Sequence, residues 1–187
     1  MKRVQLSILL LLAISPGYAQ LLSSDQIDFL DFVECYYPND IGPLVIYQGI
    51  NGKAIDTLEN DSKRCYYKMA IQTSKEGWLQ IENLLRIPDC DQNHVNEDIY
   101  QYKNSWVKSD AFLINLPEGG AYLFMEPNKA SPYIRVEKFA RGSVVEVKGV
   151  WAKVRITDEN NQPIEGWLKR SDQCAFPFTT CNWIIED

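Results

Sequence analysis

Gly77-Trp78-Leu79-Gln80-Ile81, followed after an insertion by Trp106-Val107-Lys108-Ser109-Asp110, has a counterpart later in the chain. There the sequence reads Trp151-Ala152-Lys153-Val154 and then Gly166-Trp167-Leu168-Lys169-Arg170-Ser171-Asp172. Each copy sets a Trp in an alternating strand, follows it with a polar loop, and returns with Trp-aliphatic-Lys before Ser-Asp. Self-similarity at this spacing predicts two copies of one small β-rich unit.

Working outward, short β segments alternate with turn residues. Leu44–Tyr47 is followed by Asn51-Gly52, a hairpin dipeptide, and by a strand at 54–58 with Ile55 and Leu58 inward. Residues 66–72 and 78–81 make a hairpin around Ser74-Lys75-Glu76-Gly77, residues 86–104 form an acidic polar insertion, and 105–112 closes the copy. Pro117 and the pair Gly119-Gly120 mark the joint between units. The second copy continues with strands at 121–124, 133–139, 144–147, 151–156 and 166–169, with turns at Ala140-Arg141-Gly142 and 158–163. No helical spacer separates these strands, which argues against a parallel α/β sheet and for small closed barrels. Upstream, Ser23 and Gln26 have capping-box spacing, and Ile27, Leu30 and Val33 recur at near-helical intervals. Phe, Val and Tyr crowd the same segment, so a strand competes with the short helix there.

The first 19 residues read as a signal peptide: Lys2 and Arg3, an apolar run from Leu6 to Ile14, then Pro16-Gly17-Tyr18-Ala19 before the cut. The run is shorter than the roughly 20 residues that a membrane anchor needs. The expected product is exported, periplasmic or extracellular, without membrane insertion. Removing these 19 residues leaves 168 of 187 and, because they include Lys2 and Arg3 and no acidic residue, takes the formal net charge from −6 to −8. Scattered basic residues on an acidic chain exclude a nucleic-acid binder.

Export permits disulfides, and cysteines stand at 35, 65, 90, 174 and 181. Cys174 and Cys181 close a short loop. The open end of the first hairpin lies near Cys65 and Cys90, which favours that pair and leaves Cys35 as the odd thiol. A link from Cys35 to Cys65 or Cys90 is the competing arrangement.

These motifs resemble the bacterial SH3-like domain, a five-stranded barrel of exported envelope proteins. The second copy matches through Arg141-Gly142-Ser143-Val144-Val145-Glu146-Val147, Trp151-Ala152-Lys153-Val154 and Gly166-Trp167-Leu168. The first matches through Asn51-Gly52-Lys53-Ala54-Ile55-Asp56-Thr57-Leu58, Gly77-Trp78-Leu79-Gln80-Ile81 and Trp106-Val107. Neither copy has the family's Val-Arg opening; Val45-Ile46-Tyr47 and Tyr122-Leu123-Phe124 stand there. The resemblance implies an all-β fold of two SH3-like barrels in tandem, at 43–116 and 121–183, after an N-terminal segment at 20–42. It also implies a targeting or binding role toward cell wall or peptides, although fold alone does not fix function.

The chain offers little for catalysis. His94 is the only histidine, and its neighbour Cys90 is assigned to a disulfide. Asp89, Asp91 and Asn93 have the alternate spacing of a calcium loop, but His94 and Tyr100 replace the required Gly and Glu. Gly119-Gly120 lacks the Lys-Ser/Thr of a phosphate loop. No cofactor, metal or catalytic set is expected. Five Trp and ten Tyr are many for such a chain. In an SH3-like barrel, aromatics beside the first long loop line a groove for extended ligands. Tyr47, Trp78 and Trp106 take that part in the first copy, and Tyr122, Trp151 and Trp167 in the second. The expected ligand is a cell-wall glycan or peptide, or a partner protein. The acidic balance favours, as an alternative, an inhibitor or immunity-type protein that covers a basic secreted enzyme.

Overall fold

The computed structural model describes residues 31–38, 40–59, 66–87, 97–98, 100–158 and 161–177. The first strands are β1 (Val33–Tyr37), β2 (Leu44–Tyr47), β3 (Ala54–Leu58), β4 (Tyr66–Lys75), β5 (Trp78–Ile87), β6 (Glu97–Asp98) and β7 (Trp106–Lys108). Then come β8 (Leu113–Asn115), β9 (Ala121–Phe124), β10 (Tyr133–Val136), β11 (Arg141–Lys148), β12 (Trp151–Thr157) and β13 (Pro163–Leu168). The remaining regular elements are three-residue 3-10 turns at Tyr100–Tyr102, Ser109–Ala111 and Arg170–Asp172. The described fold is all-β.

Local chemistry sets the longest hairpins. Glu76 and Gly77 both hold positive φ, 52° and 79°, the backbone of a primed two-residue turn whose twist suits antiparallel strands. That turn pairs Lys75 with Trp78 and joins β4 to β5. Gly149, at φ 57°, opens the matching turn that pairs Lys148 with Trp151 between β11 and β12.

The repeat is visible in the ladders. Trp106 pairs with Gln80 and with Tyr47, and Trp167 pairs with Lys153 and with Phe124. Both long hairpins skip one residue at the same place. β4 runs from Ile71 opposite Ile81 to Thr73 opposite Gln80, and β11 from Val144 opposite Val154 to Glu146 opposite Lys153. A bulge bends and twists its strand, so Gln72 and Val145 curl the two meanders alike. Each half therefore repeats one succession of strand, hairpin, three-strand meander and 3-10 turn, closed by the strand β8 in the first half and by an isolated bridge at Cys174 in the second.

β8 serves both successions. Its Leu113 pairs with Tyr36 of β1, while Asn115, Ile114 and Leu113 pair with Arg141, Gly142 and Ser143 of β11. Asn115 also bridges Cys174, the counterpart of the Tyr36–Leu113 pair. The resulting order is β10-β9-β13-β12-β11-β8-β1-β4-β5-β7-β2-β3, with β6 beside β5. It reads nearly as a mirror about β8 and β1.

One apolar core spans both halves, with Val33, Cys35, Met69, Ile71, Leu79 and Ile81 continuous with Ile114, Leu123, Val144, Ala152, Val154 and Leu168. The opposite face of β1 and β4 is buried too, and it is polar. Lys68, only 2% exposed, reaches the equally buried Glu34 at 3.1 Å, and Arg170 Nη2 reaches the same Glu34 oxygen at 3.6 Å. Lys68 also sits over the Phe176 ring, 4.8 Å from its centroid. Beside it, Tyr36 Oη donates to Asn115 Oδ1 at 2.7 Å, and Asn115 Nδ2 donates to the Phe176 carbonyl at 2.6 Å. Burial of polar groups is tolerated only when they are paired in this way. The network ties the segment after β13 to the first half.

Several expectations change. The strand order runs as an open path from β10 to β3 rather than as two closed rolls. Val33–Tyr37 is a strand, buried throughout, so the competing reading holds there over the short helix; the capping residues Ser23 and Gln26 lie outside the described residues. Ile55 is 49% exposed: it lies on the end strand β3 and is the residue skipped where the β2–β3 register shifts from Ile46–Asp56 to Tyr47–Ala54. Arg141 and Gly142 begin β11 rather than forming a turn. Gly142 lacks a side chain for packing reasons, since a Cβ there would lie 2.8 Å from that of Val154. The joint at 116–120 follows β8 without freeing the halves, because β8 is laddered to both. The Ser-Asp pairs are one position out of step: Lys108 and Lys169 each precede their turns, so Ser109 corresponds to Arg170.

Candidate functional site: two equivalent aromatic clusters

In the first half the start of β5 meets the end of β2. Tyr47 packs edge-on against Trp78, with centroids 5.0 Å apart. Trp106 stands directly opposite Tyr47 on β7, and Lys108, opposite Trp78, lies 5.9 Å from that ring's centroid. Such edge-to-face pairs are worth about 0.5–1.5 kcal/mol beyond the area they bury.

The second half rebuilds this cluster from equivalent strands. Phe124 of β9 meets Trp151 edge-on at 5.4 Å, and Trp167 stands opposite Phe124 on β13. Gly166 makes that approach feasible, because a Cβ there would come within 2.7 Å of the Cβ of Leu123. The cluster then extends beyond its counterpart. Tyr133 of β10 lies 5.7 Å from Phe124 and 4.8 Å from Tyr122. Where Tyr133 pairs with Phe124, the first half pairs Ala54 with Tyr47.

Arg135 completes the second cluster. Its guanidinium lies 5.3 Å from the Tyr122 centroid, Nη1 donates to Tyr122 Oη at 2.8 Å, and Nε donates to Glu137 Oε2 at 3.0 Å. The bonds to Glu137 and then Tyr122 push the already high Arg135 pKa higher still. On the neighbouring strands Glu165 is held below its ordinary value, chiefly by its hydrogen bond from Arg155, with Lys153 adding to the effect. The second cluster thus combines aromatic rings with a fixed cation, groups that bind by stacking, cation–π contact and hydrogen bonding.

Of the six expected groove aromatics, Trp78 and Trp167 are buried, while Tyr47, Trp106, Tyr122 and Trp151 are half-buried. The fold joins Tyr47, Trp78 and Trp106 in one cluster and Trp151 and Trp167 in the other. The residue at the Tyr47 position is Phe124 rather than Tyr122, which stands two residues earlier and packs on Tyr133. Phe124, Tyr133 and Arg135 were missed. Strand alternation held part of the signal, since Tyr122 and Phe124 share one face of β9.

Cys35 carries a free thiol inside the core; burial, and then the neighbouring Glu34, push its pKa well up, which makes it a poor nucleophile. Cys174 is disulfide-bonded. The remaining disulfide positions, Cys65, Cys90 and Cys181, lie outside the described residues, as do His94 and the Asp89, Asp91 and Asn93 spacing. Among the described residues no group of three or more His, Cys, Asp or Glu could hold a metal ion, and no helix is long and apolar enough to cross a membrane. Comparison of the chain with family models, curated proteins and solved structures finds no match.

Proposed function

We propose that the chain is an exported, non-enzymatic binding module built from two SH3-like units that share β8, and that it recognises cell-wall glycan or peptide material. One observation carries the reading: the aromatic cluster recurs in the same register in both halves, which a scattered set of core aromatics would not do. The SH3-like assignment is supported by the repeated succession of strand, hairpin, meander and 3-10 turn. It is supported further by the way each opening strand meets its own closing segment, Tyr36 with Leu113 and Asn115 with Cys174. Sugar rings and proline rings both present flat C–H faces that stack on exposed aromatics, and Arg135 supplies a donor at the rim. Oxidised pairs at Cys174–Cys181 and Cys65–Cys90 belong to this reading of an exported protein.

Sedimentation with purified peptidoglycan tests it. Wild-type chain should co-sediment, and Tyr133→Ala with Trp151→Ala should release it while the thermal melt stays cooperative. Failure of the intact chain to co-sediment rejects wall binding. An inhibitor or immunity role is the second reading, favoured by the net charge of −6 for the full chain. In that case a basic secreted enzyme is captured, and capture weakens steeply with salt.

A further inference from the structure

Backbone parity decides which groups of the end strand β10 are free. The Met125 N–H donates to the Pro132 carbonyl at 2.8 Å, so residues 125 and 132 form a hydrogen-bonded pair of the β9–β10 ladder. Such pairs alternate along an antiparallel ladder. With Phe124 opposite Tyr133 and Tyr122 opposite Arg135, Ile134 and Val136 turn their amides toward β9. Tyr133 and Arg135 therefore turn theirs outward. β10 ends the sheet, so no described strand accepts them.

The opposite end of the sheet is treated differently. On β3, Asp56 Oδ1 accepts the Thr57 N–H at 2.7 Å, and its other oxygen is bonded by Tyr102. A charged side chain that occupies the edge amide is a standard guard against strand addition. Among the described residues no side chain occupies the outward amides of Tyr133 and Arg135 in this way, and the charge of Arg135 is held by Glu137 and Tyr122. β10 exposes Tyr133 (58%) and Ile134 (45%), and Met125 (65%) and Phe139 (41%) lie just beyond its two ends.

We propose that two copies of this chain join edge to edge along β10, antiparallel about a two-fold axis. Tyr133 of each copy lies opposite Arg135 of the other, and Ile134 meets Ile134 on the axis. This register uses every outward amide of the strand, because the Tyr133–Arg135 pairs become the hydrogen-bonded pairs of the new ladder. It is self-complementary in chemistry as well. A guanidinium faces a tyrosine ring twice, repeating across the axis the contact that Arg135 makes with Tyr122 within the chain. On the other face the two isoleucines meet at a non-hydrogen-bonded pair, where side chains approach most closely. An isologous contact of this kind closes at two copies and does not propagate. The paired edge is short beside a standard interface of about 1,600 Å², so the dimer is concentration-dependent.

Sedimentation velocity of the wild-type chain over a concentration series should show a reversible monomer–dimer equilibrium. Ile134→Lys sets like charges against each other on the axis and should weaken it at least tenfold, whereas Ile55→Lys on β3 should leave it unchanged. Ile134→Cys should cross-link into a covalent dimer under mild oxidant, because a non-hydrogen-bonded pair holds its Cα atoms about 4.5 Å apart, within disulfide reach. Ile55→Cys should not. All four substitutions sit at exposed positions, and a thermal melt checks that each variant folds. A wild-type chain that stays monomeric throughout the series overturns the proposal. So does a dimer that survives Ile134→Lys, or one that is lost with Ile55→Lys.

Discussion

Replacing Glu34 by Leu removes the only described anion from the buried network that joins the two halves. Lys68 keeps its charge at 2% exposure, and Arg170 loses the carboxylate oxygen it reaches at 3.6 Å. Removing one partner of a buried ion pair costs about 3–5 kcal/mol, more than the net worth of the pair, because the desolvation penalty remains after the attraction to Glu34 has gone. In a chain of this size each kcal/mol lowers Tm by about 2–4 °C, so the variant should melt roughly 6–20 °C below wild type. Adding Lys68→Met removes the buried ammonium and fills its space with an apolar side chain. The double variant should then recover most of the loss. Urea unfolding followed by Trp fluorescence reads all three proteins, and the midpoints give the coupling directly. Wild-type stability in Glu34→Leu, or a double variant no better than the single, would show that the network is solvated and refute this account of how the halves are tied.

Cutting the chain at the joint gives a second prediction. A fragment of residues 121–187 lacks β8, the partner of β11 and Cys174, and should show no cooperative melt by circular dichroism. A fragment that melts at the wild-type temperature would mean that β8 is dispensable to the second half. High pH gives a third. Burial pushes Tyr36 up to about 12, against the opposing effects of Arg141 and the Asn115 hydrogen bond. The fold thus favours the neutral phenol, so this contribution is complete below the unfolded value of about 10 and is lost as pH rises toward 12. Stability should fall over that window, and Tyr36→Phe should flatten the fall; an equal fall in both proteins would assign it elsewhere. Finally, Trp78→Ala should cost about 3–5 kcal/mol as a buried aromatic truncation, and the half-buried Trp151→Ala clearly less. Equal losses in denaturant titrations would contradict the difference in burial.

Much of the strand content was legible from local rules. Alternation marked β2, β12 and β13, and the Asn51-Gly52 and Glu76-Gly77 dipeptides sat at turns. The repeated tryptophans also led to equivalent ladder positions, since Trp106 and Trp167 each face an aromatic of the preceding hairpin. Other readings failed where two distant segments set the answer. Gly142 looked like a turn residue, and it is small because β12 lies against it. Ile55 fitted an inward position, but the β2–β3 ladder skips it and leaves it exposed on the end strand, while Leu58 of the same strand packs on the core. Tyr122 and Phe124 share a face of β9, and only the register with β13 says which of them matches Tyr47.

What the residues determined alone is the alternation of short strands and turns over most of the chain, because side-chain period and turn backbone act over a few neighbours. Tertiary structure decided who pairs with whom: that β8 closes one half and opens the other, that Glu34 meets both Lys68 and Arg170, and that β10 is left with open amides. Those outcomes depend on hydrogen-bond partners tens of residues apart, and an antiparallel ladder can shift its register without changing any local signal.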